Sequence, residues 1–569
     1  MVKVSFSQKN SEYHIEINSR SPFKEDNVIY ESEKYRIQGV GCILNKEDCI
    51  KEWGGESFCD LLVKLASLQK PICQILNGVY FISIFDKETK KLKIYNDLLS
   101  KQSIFYSYHQ TTGQLVLSDK FFDVIGLLRE RGLPYSIDSL GVKMMLKHRM
   151  FYHDLTYINE IKFLRPFEYI EIDSNSFSVK EIEREGHMNT TISDAVESIN
   201  QIFSKAVGYQ YLKNEKNGYP QIITLSGGMD SRSTFLFSLS QGYTNQKCFC
   251  YAESTSVDYE YARQLAIKYH CDFYFHPIDN GDFLLKRNEL CRMNEGQMVY
   301  SGPTGAYDSL SFYSTPKMGI VHTGLGGGEI MGDMRIIQPT DIIDRFITLL
   351  KYRFGKGKKD NTWASFLNSL DCNNEERERL VRVFDKYRDF DEFQSINDIR
   401  RCLNSQKVAM AFGVYYISPF LYEDFFCYML RVPTLLTKDR KLYLAWQKKY
   451  NPAQFEIPST FQMGCKPYNK WGYYAKRFAI YIANKMGRKT KYDMTPNEYW
   501  LANNPEMSKQ LEMMYFQDID ILKDKIDREL YHYMVSLWNN YSGAHPNLLT
   551  ATWALRNICY NSKNKKDAQ

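Results

Sequence analysis

"IITLSGGMDSRSTFLFSL" (residues 222–239) decides how the rest of this 569-residue chain is read. An apolar run of strand length ends at Leu225, two glycines follow, and a second apolar run begins within a turn of Asp230. If the first run is a strand of a parallel sheet, its next residues emerge at the carboxyl edge, where ligands of such sheets bind. Gly227 and Gly228 let the backbone turn tightly with its N–H groups pointing outward. The helix that follows adds unpaired amides and the positive end of its dipole, and Ser226 and Ser231 add hydroxyls. Leu225 through Ser231 therefore reads as an anion-binding loop. Arg232 sits where a helix dipole disfavours cations, which makes sense beside a bound anion. The loop is neither G-x-G-x-x-G nor G-x-x-x-x-G-K-[ST], because no lysine follows it. A plain strand-to-helix turn is the competing reading, and the specificity of the string S-G-G-x-D-S weighs against it.

Downstream, "KCFCYAES" (247–254), "DYEYARQLAIKYH" (258–270) and "DFYFHPI" (272–278) alternate strand and helix patterns. Such alternation predicts βαβ units and a parallel sheet with helices on both faces. Just upstream, Ile199, Ile202, Phe203, Ala206 and Val207 recur on one face of a predicted helix. Residues 1–185 read differently. "NGVYFISIFDKETKKLKIYNDLLSKQSIFYSY" (77–108), "QLVLSD" (114–119) and "FEYIEID" (167–173) are short apolar runs bounded by polar turns, a β-rich pattern. The polar stretch "EREGHMNT" (183–190) marks the join. The chain is thus expected to divide into residues 1–185, residues 194–470 and an extension over 471–569. Beyond roughly residue 340 the pattern is mostly helical, and "NNEERERLVRVFDKYRDFDEF" (373–393) reads as a solvated helix face.

Composition bounds the partners. The chain is 44% apolar and 25% charged, which is ordinary for a globular protein, and it is too long for one core. A net charge of +6 against 73 Lys and Arg, without a basic stripe interleaved with aromatics, excludes a nucleic-acid partner. The first twenty residues lack a signal-peptide apolar core, and no apolar run spans a bilayer, so no membrane role is expected. Thirteen cysteines without a C-x-x-C pair fit reduced thiols and a cytoplasmic location.

The S-G-G-M-D-S string resembles the pyrophosphatase loop of ATP-using enzymes that release pyrophosphate and form adenylylated intermediates. Four further stretches narrow the resemblance to asparagine synthetase and the β-lactam synthetases. They are "LNGVYFISIFD" with "LKIYNDLLSKQSIFYSY", then "DYEYARQLAIKYH", then "HTGLGGGEIMGDM" (322–334), then "ISPFLYEDFFCYMLRVPTLLTKDRKLYLAWQKKY" (417–450). This resemblance implies an α/β protein. A sandwich of the N-terminal-nucleophile type would precede a parallel-sheet, adenine-nucleotide α-hydrolase-like domain with a helical extension. It implies ATP and Mg²⁺ as cofactors, a small-molecule or peptide carboxylate and an amine as partners, and it allows a homodimer. Gly324 and Gly326 would line the nucleotide, Asp230 would hold Mg²⁺, and Lys441 or Lys466 would stabilise leaving pyrophosphate. Residues 471–569 resemble nothing that can be named.

Three departures qualify what the resemblance implies. The family's glutaminase nucleophile is a cysteine after the initiator methionine, where this chain has Val2, which has no nucleophilic atom. Gly328 stands where a second Mg²⁺-binding aspartate belongs, leaving Glu329 or Asp333 as substitutes. Leu325 replaces the tyrosine of lactam-forming relatives, so the base that deprotonates an amine is sought at Glu423 or Asp424. The expectation is an AMP-forming ligase that makes an amide without hydrolysing glutamine. The alternatives are an asparagine synthetase using aspartate and ammonia, a nucleotide-dependent transferase with other acceptor chemistry, and a non-catalytic nucleotide-binding scaffold.

Overall fold

Two antiparallel sheets face each other in the first third of the chain. One runs in the order Glu12–Ile17, Val2–Ser7, Gln114–Ser118, Phe105–His109, Lys162–Phe163. The other runs Phe177–Glu181, Glu168–Ile172, Lys91–Asn96, Gly78–Asp86, Tyr35–Ile43, Val28–Glu31. Val2, Val4, Phe6, Leu115 and Leu117 of the first meet Phe81, Phe85, Leu92 and Ile94 of the second. Side chains alternate along a strand, so in Gly78–Asp86 the other face, Tyr80, Ile82 and Ile84, packs under the helix Phe58–Ser67. Burial on both faces explains why this strand reads as a continuous apolar run. The helix Phe121–Glu130 covers the outer face of the first sheet through Phe121, Val124 and Ile125. The result is the α/β/β/α sandwich that the resemblance implied.

The structure is a computed structural model that describes residues 2–9, 12–301, 318–332, 360–460, 470–486, 488–540 and 546–560. Its second unit is a parallel sheet whose strands are here β1 (Gln221–Thr224), β2 (Gln246–Ala252), β3 (Asp272–Pro277), β4 (Ile320–His322) and β5 (Tyr415–Ile417). They lie in the order β3-β2-β1-β4-β5, every neighbouring pair parallel. The chain order therefore reverses between β1 and β4. That point opens a crevice at the carboxyl edge of an open α/β sheet. Strand β5, inside a stretch read as helical, is three residues long and too short to leave a period. The charged stretch 373–393 spans two helices, Asn374–Phe384 and the start of Phe390–Ala411, instead of one. The helix Ile192–Lys216 begins just after the polar stretch that marks the join, capped by Thr191, whose side chain accepts from Asp194 N.

The described extension is helical apart from a strap ahead of Asn497–Asn503, and it is built into both units. The helix Pro546–Cys559 lies against Ser139–His148 of the sandwich, where Asn547 Nδ2 donates to Leu146 O. Buried Asp518 pairs with Arg287 (2.8 Å) and Arg556 (2.9 Å). The strap ahead of Asn497–Asn503 crosses the carboxyl end of β2, with Glu253 N donating to Met494 O (3.0 Å) and Val257 N to Lys491 O (2.8 Å). Trp500 Nε1 donates to the Glu253 carboxylate (2.9 Å) and rests on Gly281, whose φ of 71° and missing Cβ make the room. No helix among the described residues is long and apolar enough to cross a membrane.

Candidate functional site

Ser226–Gly228 follows β1 and the helix Met229–Ser240 follows it directly, at the point where the strand order reverses. The hydroxyls and amides here form one network. Ser226 N donates to Ser231 Oγ (3.1 Å), the Ser226 and Ser231 hydroxyls meet at 3.2 Å, and Gly228 N donates to Ser226 Oγ (3.2 Å). Gly227 N donates to Asp258 Oδ1 (3.0 Å), and Gly227 O accepts from Thr460 N (3.0 Å). Asp258 stands in the first turn of Val257–Lys268, where Ser256 caps the helix. Burial pushes its carboxyl up to about 6, against the hydrogen bonds that favour the ionised form. Leu225 is buried under the loop and packs with Phe235 and Cys250.

The second glycine motif, which follows β4, sits directly on this loop. A Cβ on Gly324 would lie 2.1 Å from Ser231 N, and one on Gly327 would lie 2.5 Å from Asp230 Cγ. Only glycine allows two backbones so close. Gly326 has a φ of 82° and packs against Leu421. Gly328, at the expected second-acid position, donates its N–H to the Asp230 carboxylate. Asp230 Oδ1 also accepts from Tyr443 Oη (2.9 Å), and the buried guanidinium of Arg440 lies 5.5 Å from the Tyr443 ring centre. Burial raises the Asp230 pKa, with Arg440 and Tyr443 opposing the rise.

Two sequence assignments need correction. The Arg232 guanidinium does not face the crevice. It is fully buried and donates to four backbone carbonyls, those of Gln454 (2.8 Å), Ile457 (2.6 Å), Pro458 (2.9 Å) and Gly227 (3.3 Å). It braces residues 454–458 against the loop, and burial lowers its pKa to about 10. Glu423 does not line the loop site either. It lies at the junction of the two units, where Oε1 accepts from Lys101 Nζ (2.8 Å) and Gly78 N (3.0 Å). Burial raises its carboxyl to about 7, Lys101 pulls it down and Asp97 pushes it up. Asp424 accepts from Asn77 Nδ2 at the same junction (3.4 Å).

Lys441 is exposed at the start of the helix that carries Tyr443. Lys466 and Asp333 lie outside the described residues. Glu329 is half-buried in the short helix Gly327–Ile330. Among the described residues no three His, Cys, Asp or Glu side chains group as a metal cage. Mg²⁺ takes most of its ligands from phosphate oxygens and water, so the single carboxylate of Asp230 is a donor set that fits it. Asp258, Thr460, Arg440 and Tyr443 escaped the sequence reading. Tyr443 is 213 residues from Asp230, a separation that no spacing rule reaches. A local signal existed for Asp258 alone, in the Ser-x-Asp of a helix start.

Residues 27–183 match the glutamine amidotransferase domain family. No curated protein matches the chain. Among solved structures, the glutamine PRPP amidotransferase of B. subtilis complexed with ADP and GMP is 9% identical over 48% of this chain and 74% of its own, with a TM-score of 0.20. NMN synthetase from Francisella tularensis is 12% identical over 39% of this chain and 97% of its own, with a TM-score of 0.20. Glutamine-dependent NAD+ synthetase from Acinetobacter baumannii in complex with ADP is 13% identical over 47% and 64%, with a TM-score of 0.19. Likenesses this slight carry no chemistry to this chain. With an amidotransferase domain at residues 27–183 ahead of an S-G-G-M-D-S loop at the switch point of a parallel sheet, the chain has an asparagine synthetase-like architecture.

Proposed function

We propose that this chain is an AMP-forming ligase. A substrate carboxylate oxygen attacks the α-phosphorus of ATP and pyrophosphate leaves. An amine or ammonia then attacks the acyl carbon, and AMP departs as the amide forms. The observation that carries this reading is the S-G-G-M-D-S loop at the switch point, with the glycine turn after β4 seated on Asp230 and Ser231. The Ser226 and Ser231 hydroxyls and the helix N-terminus supply donors for a triphosphate, while the amides of Ser226, Gly227 and Gly228 fix the loop's shape through their own partners, and fixing the donors in advance favours charge developing on the leaving pyrophosphate. Asp230 would hold Mg²⁺, which when bound would offset part of the triphosphate charge. Arg440 beside Asp230 is a second cation at the same place, and Lys441 stays a candidate for the leaving group. Glutamine hydrolysis has no nucleophile here. Val2 is buried between the two sheets and its N–H donates to Asp119 Oδ1 (2.9 Å). The amine therefore comes from the second substrate or from ammonia, and aspartate is one candidate carboxylate.

One observation favours a non-catalytic scaffold as the second reading. Gly328 brings no carboxylate and spends its N–H on Asp230, so one acid serves where the resemblance implies two. Exchange of labelled pyrophosphate into ATP separates the readings, because adenylation is reversible before the amine attacks. A working ligase exchanges label only when its carboxylate is present, and Asp230→Ala abolishes the exchange. ATP binding without exchange across a broad carboxylate panel, aspartate included, refutes the ligase reading and leaves the scaffold.

A further inference from the structure

A cavity of about 590 Å³ lies between the sandwich and the parallel-sheet unit. Val2 and Val40 form its wall on one side, and Met410 and Val414 on the other. Its position separates it from the loop site. Val414 and Tyr415 stand at the amino end of β5, whereas Ser226–Gly228 and the Gly324 turn leave the carboxyl ends of β1 and β4 in the same parallel sheet. The cavity and the loop therefore open at opposite edges.

The charges around the cavity do not cancel. Glu295 is held by Lys407 and by Phe121 N (3.1 Å), and Asp119 accepts from Val2 N (2.9 Å). Lys101 turns away to Glu423 (2.8 Å). Asp119, whose charge a backbone N–H does not cancel, and Glu289 are the other two acids of the lining, against three further cations, Arg20, Lys120 and Arg292. Arg20 reaches across the junction to Ala411 O (3.4 Å), so both units shape the rim. Apolar walls with a few convergent charges, set between two domains, are the usual make-up of a small-molecule site.

We propose that this interdomain cavity binds a small organic anion with an apolar body. The body lies against Val2, Val40, Met410 and Val414, and the charged head meets Arg20, Lys120 and Arg292. Such a ligand touches both units at once, and its binding stands independently of the ligase reading. Calorimetric titration of the full chain with octanoate, and with octanamide as its neutral counterpart, tests it. Octanoate is expected to saturate one site, with octanamide about tenfold weaker. The paired substitution Lys120→Ala/Arg292→Ala removes two exposed side chains, so the fold stays intact. It should weaken octanoate about tenfold and leave octanamide unchanged. Absence of saturable octanoate binding, or equal octanoate affinity in wild type and the paired variant, overturns the proposal.

Discussion

Gly324→Ala is the sharpest test of the site, because it adds one methyl group where two loops meet. The new Cβ would lie 2.1 Å from Ser231 N and 2.3 Å from the Asp230 carbonyl carbon. Non-bonded heavy atoms sit about 3.5 Å apart, so the turn and the loop must part by roughly 1.4 Å. Both contacts are backbone, so no side chain can swing aside. Overpacking of this kind costs about 1–3 kcal/mol of stability. A reacting group misplaced by about 1 Å costs about a hundredfold in rate, so exchange should suffer more than the fold does. The assay pairs thermal unfolding with calorimetric titration of ATP·Mg²⁺, using Gly186→Ala as control, since nothing lies within 4 Å of a Cβ there. The expected result is a folded protein with strongly weakened ATP binding, beside an unaffected control. Wild-type ATP affinity and an unchanged melting temperature in Gly324→Ala would refute the contact between the two motifs and the site built on it.

Asp258→Asn should flatten the pH dependence of stability. The folded carboxyl is raised from 3.8 to about 6, so its stabilising protonated form is complete below the unfolded value and lost as pH climbs through 6. The loss is on the order of 3 kcal/mol, and urea unfolding at about pH 4 and about pH 7.5 should show it in wild type but not in the variant. Lys101→Met leaves Glu423 buried without its cation and should cost about 3–5 kcal/mol, while Lys101→Met/Glu423→Leu recovers most of it. A double variant no more stable than the single one would rule out the pair as the joint between the two units. Incubation with glutamine and ATP should release no glutamate above a blank, since Val2 has no nucleophilic atom; measurable turnover would mean that another nucleophile serves.

The architecture was legible because it rests on local, repeated patterns. Short apolar runs bounded by polar turns, such as Gly78–Asp86, and the strand–glycine–helix string at 222–239 fold as they read because burial selects apolar residues along the buried element. The sequence likewise determined that position 2 has no nucleophile and that the second motif lacks its acid, since these follow from side-chain chemistry alone. What only the tertiary structure decided is where charged side chains point. Arg232 reads as an anion ligand by its place in a helix, yet its guanidinium turns to the carbonyls of Gln454, Ile457 and Pro458. Glu423 reads as a base beside the site, yet Lys101 holds it more than three hundred positions away in the chain, at the joint of the two units. Asp230 finds Tyr443 and Gly328, and the cavity at Val2 is closed by residues from Glu289 to Val414. The physical reason is common to all of these. A buried polar group must find a partner, and the partner is set by which surfaces pack together, which no local spacing in the sequence encodes.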